Sequence, residues 1–330
     1  MIVFGILIGI AVLYVGLLVA CVVKCVKKSD KQFRIVEYER NTMAKLAISI
    51  SGGGALGCGP LQFMCRLESD LGKKLTDQSV AFAGTSTGAI IAACLAEGMS
   101  AHDIFDLYKS NLKKIFTKYP WYKRMTPSCP TYDNRNLVKM LKEKLPGKVG
   151  YWNKPIYIPT THMNGKSVEK VWDLGDATED KWFAVLTSTA APTYFDVVER
   201  AGESYCDGGM WANDPVMCLQ AGLKNSGFNK KYKILSFNTG METPNTDKGN
   251  KTLLGWGEYI MSDWVARTGN SNFYEARANV GYNNIFRASP EHPTKIKMDK
   301  TDDETINHVI EVWDKYYDSV RDKVVKFVKE

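Results

Sequence analysis

Histidine is scarce in this 330-residue sequence: His102, His162, His292 and His308 are the only four, and they lie far apart. Eight cysteines are present, yet none forms a C-x-x-C pair and no Cys/His group has the spacing of a zinc site. Cys58, Cys65, Cys94, Cys129, Cys206 and Cys218 are scattered through apolar or turn contexts, as small core residues of a protein in a reducing compartment are. Long Pro/Ser/Gly tracts and internal repeats are missing too, so some 300 residues are expected to fold around one core. The net charge of +7 is spread widely, and no recognisable nucleic-acid-binding module goes with it; no nucleic-acid partner is expected.

What the chain does have is glycine at the ends of its expected strands. Gly84-Thr85-Ser86-Thr87-Gly88 follows the apolar run Val80–Ala83 and precedes Ala89–Leu95. In a G-x-S-x-G pentapeptide at a strand-to-helix junction, a tight turn strains the middle residue, while Gly84 and Gly88 let backbone and helix approach closely. The Ser86 hydroxyl would then sit at a helix N-terminus, where negative charge is favoured. An ordinary Gly/Ser turn before a core helix reads the same way. Upstream, the strand-like Lys45–Ile50 runs into Ser51-Gly52-Gly53-Gly54-Ala55-Leu56-Gly57, and Pro60 suits the first turn of a following helix. Such a loop exposes backbone N–H groups that bind phosphate or stabilise an oxyanion. A dinucleotide fingerprint lacks its acidic residue about 20 positions on. A P-loop lacks its Gly-Lys-Ser/Thr ending, so the oxyanion reading is preferred. Downstream, Ser188-Thr189-Ala190-Ala191-Pro192 precedes Tyr205-Cys206-Asp207-Gly208-Gly209. By itself Asp207 reads as an Asx-type turn residue.

In this order, a Gly-rich loop, a G-x-S-x-G elbow about 30 residues later, a Ser-x-Ala-x-Pro-like segment and an Asp-Gly-Gly turn make the chain resemble the patatin-like phospholipases over about residues 44–240. The resemblance implies lipid acyl hydrolysis by a serine–aspartate dyad that requires no histidine, metal or cofactor. It implies Ser86 as nucleophile, Asp207 as general base, and Gly52, Gly53 and Gly54 as the oxyanion loop. Gly57, Gly84, Gly88, Gly208 and Gly209 are supporting motif glycines. Leu56 and Ser51 depart from the family pattern, which often has Arg or Lys before the last loop glycine and Asp before the first. Backbone N–H groups, not loop side chains, would then carry the oxyanion role. Apolar Tyr205, Met210 and Trp211 are expected to bury Asp207 and raise its proton affinity.

Three rivals remain open. In a Ser-Asp-His triad the histidine comes last, which makes His292 and His308 eligible. A triacylglycerol lipase or general carboxylesterase would use the same pair. A membrane-tethered binding protein could keep the fold without chemistry, although both Ser86 and Asp207 are present.

Residues Ile2–Val23 form an uncharged, almost wholly apolar run of 22, and about 20 suffice to cross a bilayer. Lys24, Lys27, Lys28, Lys31 and Arg34 follow, and no base precedes. The expectation is a transmembrane anchor at 1–23, a basic linker at 24–43 and a catalytic domain at 44–330 on the cytoplasmic side. Leu18-Val19-Ala20-Cys21 also resembles a lipoprotein cleavage site, and Cys21 and Cys25 are palmitoylation candidates.

Alternating strand and helix signals predict an α/β, three-layer fold with a mainly parallel sheet flanked by helices. Strands are expected at 45–50, 80–84, 154–160 and 231–238, and helices at 60–70, 88–97, from 101, at 132–145 and at 302–329. Thr301-Asp302-Asp303-Glu304 reads as a capping box. Residues 240–285 open as a polar loop and continue into Leu253–Met261, either a cap over an acyl-chain groove or a peripheral helix. Lys109–Arg124 interleaves bases with aromatics, a pattern drawn to anionic headgroups at roughly 1 kcal/mol per base and found equally on solvated helix faces. The expected partners are phospholipid or another acyl lipid and the membrane itself; the oligomeric state is not legible.

Overall fold

The computed structural model describes residues 46–330 except 127, 229–230, 243–251, 253–254, 257–264 and 294–295. The expected anchor at 1–23 and linker at 24–43 lie outside the described residues. Among the described residues, no helix is long and apolar enough to cross a membrane.

Strand β1 (Leu46–Ile50) is buried along its whole length. Its alternate side chains enter two different cores, because successive residues of a strand point to opposite faces. Leu46, Ile48 and Ile50 join one apolar cluster, and Ala47 joins the other. The first core is roofed by α1 (Cys58–Leu71), α2 (Thr87–Ala96), α3 (Ala101–Ile115), α4 (Arg135–Lys144), α5 (Lys181–Thr189) and, far along the chain, α8 (Asp303–Lys329). The second is covered by α6 (Val216–Asn225) and α7 (Val265–Val280). Hence three layers, with a sheet buried on both sides.

The remaining strands are β2 (Ser79–Gly84), β3 (Ile156–His162), β4 (Glu169–Trp172), β5 (Val198–Arg200), β6 (Glu203–Asp207), β7 (Lys233–Phe237), β8 (Met241–Glu242), β9 (Ile285–Ala288) and β10 (Glu291–His292). The main sheet runs β5-β6-β3-β2-β1-β7-β9, with β4 also on β3, while β8 and β10 pair separately. It is mixed rather than mainly parallel. Pairings β1–β2, β1–β7, β2–β3 and β7–β9 are parallel, whereas β3–β4, β3–β6 and β5–β6 are antiparallel. The connections decide this. A parallel crossover needs a dozen or more residues, and only 163–168 separate β3 from β4. Between β5 and β6 stand Ala201 (φ 53°) and Gly202 (φ 84°), two left-handed residues that close a tight hairpin.

Helix ends follow their local chemistry. The Ser100 side chain accepts the Asp103 N–H and starts α3, and left-handed Gly98 ends α2. The last helix is capped by Asp302, whose Oδ1 accepts Thr305 N–H at 2.9 Å, and not by Thr301. The helix expected from Tyr132 begins at Arg135, because Tyr132 N–H is committed to the Tyr194 carbonyl. Helix α7 packs beside α6; most of Leu253–Met261, where either a groove cap or a peripheral helix was expected, lies outside the described residues.

The long last helix docks on α1 through aromatic rings. Phe63 meets Tyr317 edge-on at 4.8 Å, Trp313 at 6.1 Å and Phe237 at 5.5 Å. A Cβ on Gly59 would lie 2.0 Å from Trp313 Nε1, so this glycine sets how closely the two helices approach. At the rim, Arg66 pairs with Asp314, and Arg321 with Asp70. Trp313 is fully buried. Trp313→Ala is expected to cost about 3–5 kcal/mol of stability in chemical denaturation, with Trp313→Phe costing less; equal stability of all three proteins would contradict this packing.

Candidate active site

Ser86 has φ 54° and ψ −124°, a strained conformation for a residue with a side chain. The flanking glycines make it possible. A Cβ on Gly84 would stand 2.0 Å from the Gly88 carbonyl oxygen, and one on Gly88 2.1 Å from that of Ile50. Thr85, Thr87 and Ser86 are tied down individually. Thr85 N–H donates to the Ile50 carbonyl at 3.2 Å and its hydroxyl to the Ala212 carbonyl at 2.6 Å. Ser86 N–H donates to Ser188 Oγ at 3.1 Å. The elbow is therefore pinned both to the first strand and to the segment that follows Asp207.

Asp207 ends β6, opposite Thr160 of β3. Its backbone N–H donates to the Ala190 carbonyl at 2.9 Å, and its carbonyl accepts the Thr161 hydroxyl at 2.8 Å. The carboxyl is buried. Oδ1 accepts Gly209 N–H at 2.6 Å, the Asx-type turn expected of Asp-Gly-Gly, while Oδ2 has no hydrogen-bond partner among the described residues. Burial pushes its pKa up to about 7, against the opposing pull of the Gly209 N–H and the neighbouring Ser86 hydroxyl. Two groups 121 positions apart in the chain are thus neighbours. Of the residues expected to bury Asp207, Tyr205 is buried but Met210 is 42% exposed.

The three loop glycines differ in what they offer. Gly52 N–H already donates to the Asn213 carbonyl at 3.1 Å, so it is not a free oxyanion donor. Its contribution is proximity: a Cβ there would be 3.1 Å from Ser86 Cβ and 2.5 Å from Asn213 Oδ1. Gly53 and Gly54 N–H groups make no hydrogen bond among the described residues. Their peptides are held from behind. The Gly52 carbonyl accepts the Thr239 hydroxyl at 3.1 Å. The Gly53 carbonyl, which shares a peptide with the Gly54 N–H, accepts Leu56 N–H at 3.2 Å, and the Gly54 carbonyl beyond it accepts the Thr87 hydroxyl at 2.9 Å and the Tyr108 hydroxyl at 2.7 Å. Gly57 lies under Thr87, and Gly208 abuts the Pro159 carbonyl. Leu56 is buried in the first core, Ser51 Oγ is buried without a partner among the described residues, and neither uncharged side chain lends a charge to the loop.

Neither candidate histidine is placed on Asp207. His292 is buried with Nε2 3.4 Å from the Thr239 carbonyl, and burial lowers its pKa. His308 is half-buried on α8. Among the described residues no group of three or more His, Cys, Asp or Glu side chains is arranged to hold a metal ion.

Sequence reasoning assigned no role to Ser188, Thr239, Tyr108, Asn213 or Asp214. Tyr108 sits at ordinary core spacing on α3, and Thr239 lies in a loop after β7; nothing local marks either. Asp214 is fully buried and paired with Arg287, and its Oδ1 accepts Val216 N–H at 3.1 Å. It anchors the turn whose Asn213 carbonyl holds Gly52.

A family model described as Patatin-like phospholipase matches residues 48–219, just over half of the chain and a span that contains Gly52, Ser86 and Asp207. An intracellular phospholipase A2 of Caenorhabditis elegans is 27% identical over 188 residues, 53% of this chain and 16% of that protein. A cGAMP-activated phospholipase of Vibrio cholerae is 27% identical over 205 residues, 54% of this chain and 58% of that one. A second protein of that description, from Escherichia coli, is 28% identical over 187 residues, 51% and 52% of the two chains. The matched region thus spans little more than half the length of these relatives at most. Among solved structures, VipD from Legionella pneumophila is 15% identical with a TM-score of 0.38, covering 83% of this chain and 67% of its own, a likeness on which no argument rests.

The raised Asp207 pKa has a consequence for stability. The folded chain holds this proton more tightly than the unfolded chain, whose aspartates titrate near ~4. The linked stability is fully present below that value and is lost as the pH rises through about 7. Asp207→Asn, which never ionises, should therefore melt higher than the wild type at pH 8 and gain little at pH 4. Thermal melts showing the same difference at both pH values would count against a buried, uncompensated carboxylate.

Proposed function

The chain belongs to the patatin-like phospholipase family, and from that premise we propose that it is a lipid acyl hydrolase of phospholipase A type, with Ser86 as nucleophile and Asp207 as general base. The observation that carries the reading is the Asp207 carboxyl: buried, held on one oxygen by Gly209, and without a partner on the other among the described residues, beside the Ser86 hydroxyl. A carboxylate poised near neutral pH is a competent base, which a solvated one is not.

In this reading Asp207 takes the Ser86 proton as Oγ bonds to the acyl carbon. The carbonyl oxygen becomes an anion facing the free N–H groups of Gly53 and Gly54; losing one such donor costs on the order of 100-fold in rate. Collapse breaks the ester C–O bond, and Asp207 returns its proton to the departing glycerol oxygen. Water then attacks the acyl-enzyme, giving its proton to Asp207, and Ser86 leaves and recovers it. Residues 1–23 are proposed as a single-pass anchor and 24–43 as a linker, with the domain at 44–330 on the cytoplasmic side. The one-sided Lys/Arg distribution supports this orientation.

Ser86→Ala should lose fluorophosphonate labelling, and both Ser86→Ala and Asp207→Asn should lower phospholipid hydrolysis by roughly 10⁴-fold. His292→Ala should keep most of its activity. A His292→Ala loss as deep as that of Ser86→Ala would overturn the dyad in favour of a triad. Product analysis on phospholipid and triglyceride identifies the substrate class.

Thr239 acts through the Gly52 carbonyl and so bears on how the next N–H is aimed. Thr239→Val is expected to lower kcat about 10-fold with KM nearly unchanged, and Thr239→Ser to restore it. An effect confined to KM would refute that positioning role.

A further inference from the structure

Within five positions, Trp121, Tyr122 and Met125 are 70%, 59% and 73% exposed, and the one-turn helix Trp121–Arg124 that carries the first two buries nothing. A single exposed aromatic needs no explanation, but three large apolar side chains together mark an interaction surface. The charge around them is one-sided. Residues 107–132 hold six bases, Lys109, Lys113, Lys114, Lys118, Lys123 and Arg124, and no Asp or Glu. The structure divides this stretch. Helix α3 packs Tyr108, Leu112 and Ile115 into the core, and Lys113 is paired with Asp303. Lys118, Lys123 and Arg124 stand exposed around the apolar cluster. The bordering acids, Asp133 and Asp196, are engaged by Arg135 and by the Tyr119 hydroxyl.

This segment is coupled to the site by backbone hydrogen bonds. Asp207 N–H reaches the Ala190 carbonyl; three residues on, Thr193 and Tyr194 carbonyls accept the N–H groups of Thr131 and Tyr132 at 2.9 and 2.8 Å. The Thr131 carbonyl in turn accepts Tyr119 N–H at 3.1 Å, one residue before Pro120 opens the exposed helix. Arg124 Nε donates to the Tyr119 carbonyl at 3.0 Å, holding the turn closed.

We propose that Lys118–Met125 is a docking platform for an anionic phospholipid surface, with Trp121, Tyr122 and Met125 entering the boundary between headgroups and acyl chains and Lys118, Lys123 and Arg124 resting on the phosphates. Amphipathic Trp and Tyr favour that boundary, and bases beside them favour anionic lipid. The proposal rests on the phospholipid reading above and narrows it to the surface through which the substrate is presented.

The test uses the full chain reconstituted in phosphatidylcholine vesicles, with and without phosphatidylserine, whose acyl chains carry bromine. Residues 1–45 contain no tryptophan, so the quenching reports residues 46–330 alone. Wild type should be quenched and Trp121→Phe should lose most of that quenching. The double variant Trp121→Ser, Met125→Ser should hydrolyse vesicle lipid about 10-fold more slowly yet cleave a water-soluble short-chain ester at the wild-type rate. Charge reversal of Lys118, Lys123 and Arg124 should slow hydrolysis more on vesicles containing phosphatidylserine. Equal quenching of wild type and Trp121→Phe overturns the proposal, as does an unchanged vesicle rate or an equal fall on both substrates, which would make the segment structural or a seat for a protein. If wild type cleaves neither substrate, the hydrolase reading fails, and the quenching comparison still decides the docking.

Discussion

The constraint on which the rest depends is a carboxyl group kept from water without a counter-charge. Of the buried aspartates among the described residues, Asp207 and Asp214 lie seven positions apart and are treated oppositely. Asp214 is paired with Arg287 and bonded to the Val216 N–H, as a buried charge must be. Asp207 has one N–H from Gly209 and no cation among the described residues. The first holds the turn together, and the second is left with a high proton affinity next to a strained serine. The fold keeps that unfavourable arrangement because the two ends of the site are tied to the same segment. Thr85 of the elbow bonds Ala212, Gly52 of the loop bonds Asn213, and Asp214 anchors both.

How much of this was legible depends on whether the cause is local. The Ser86 elbow was, because a left-handed serine needs bare backbone on either side, and Gly84 and Gly88 record that need in the sequence. The Asx turn at Asp207 was legible for the same reason. That Gly52 N–H is spent on Asn213 was not, since a run of three glycines says that backbone is exposed and nothing about what meets it. Tyr108 and Thr239, which hold the Gly54 and Gly52 carbonyls, come from a helix and a loop 54 and 187 positions away.

The sheet shows the same division. Alternation of strand and helix correctly implied an α/β sandwich with helices on both faces. It missed the antiparallel side, because β4, β5 and β6 are short strands whose direction follows from a six-residue turn and from two left-handed residues at 201–202. The basic aromatic stretch likewise read as one unit in sequence but falls into a packed helix and an exposed turn, a split set by which side of α3 meets the core.

Local sequence alone determined β1, β2, β3 and β7, the helices α1 to α4 and α8, and the strained serine turn, since each arises from neighbours within about one turn or one strand, while the ordered motifs resembled those of the family to which the chain belongs. Only the tertiary structure decided which loop amide protons stay free, what holds them from behind, and which side of the molecule exposes its aromatics. Those outcomes depend on contacts between residues tens to hundreds of positions apart, where burial and hydrogen-bond competition, and not local preference, choose the partner.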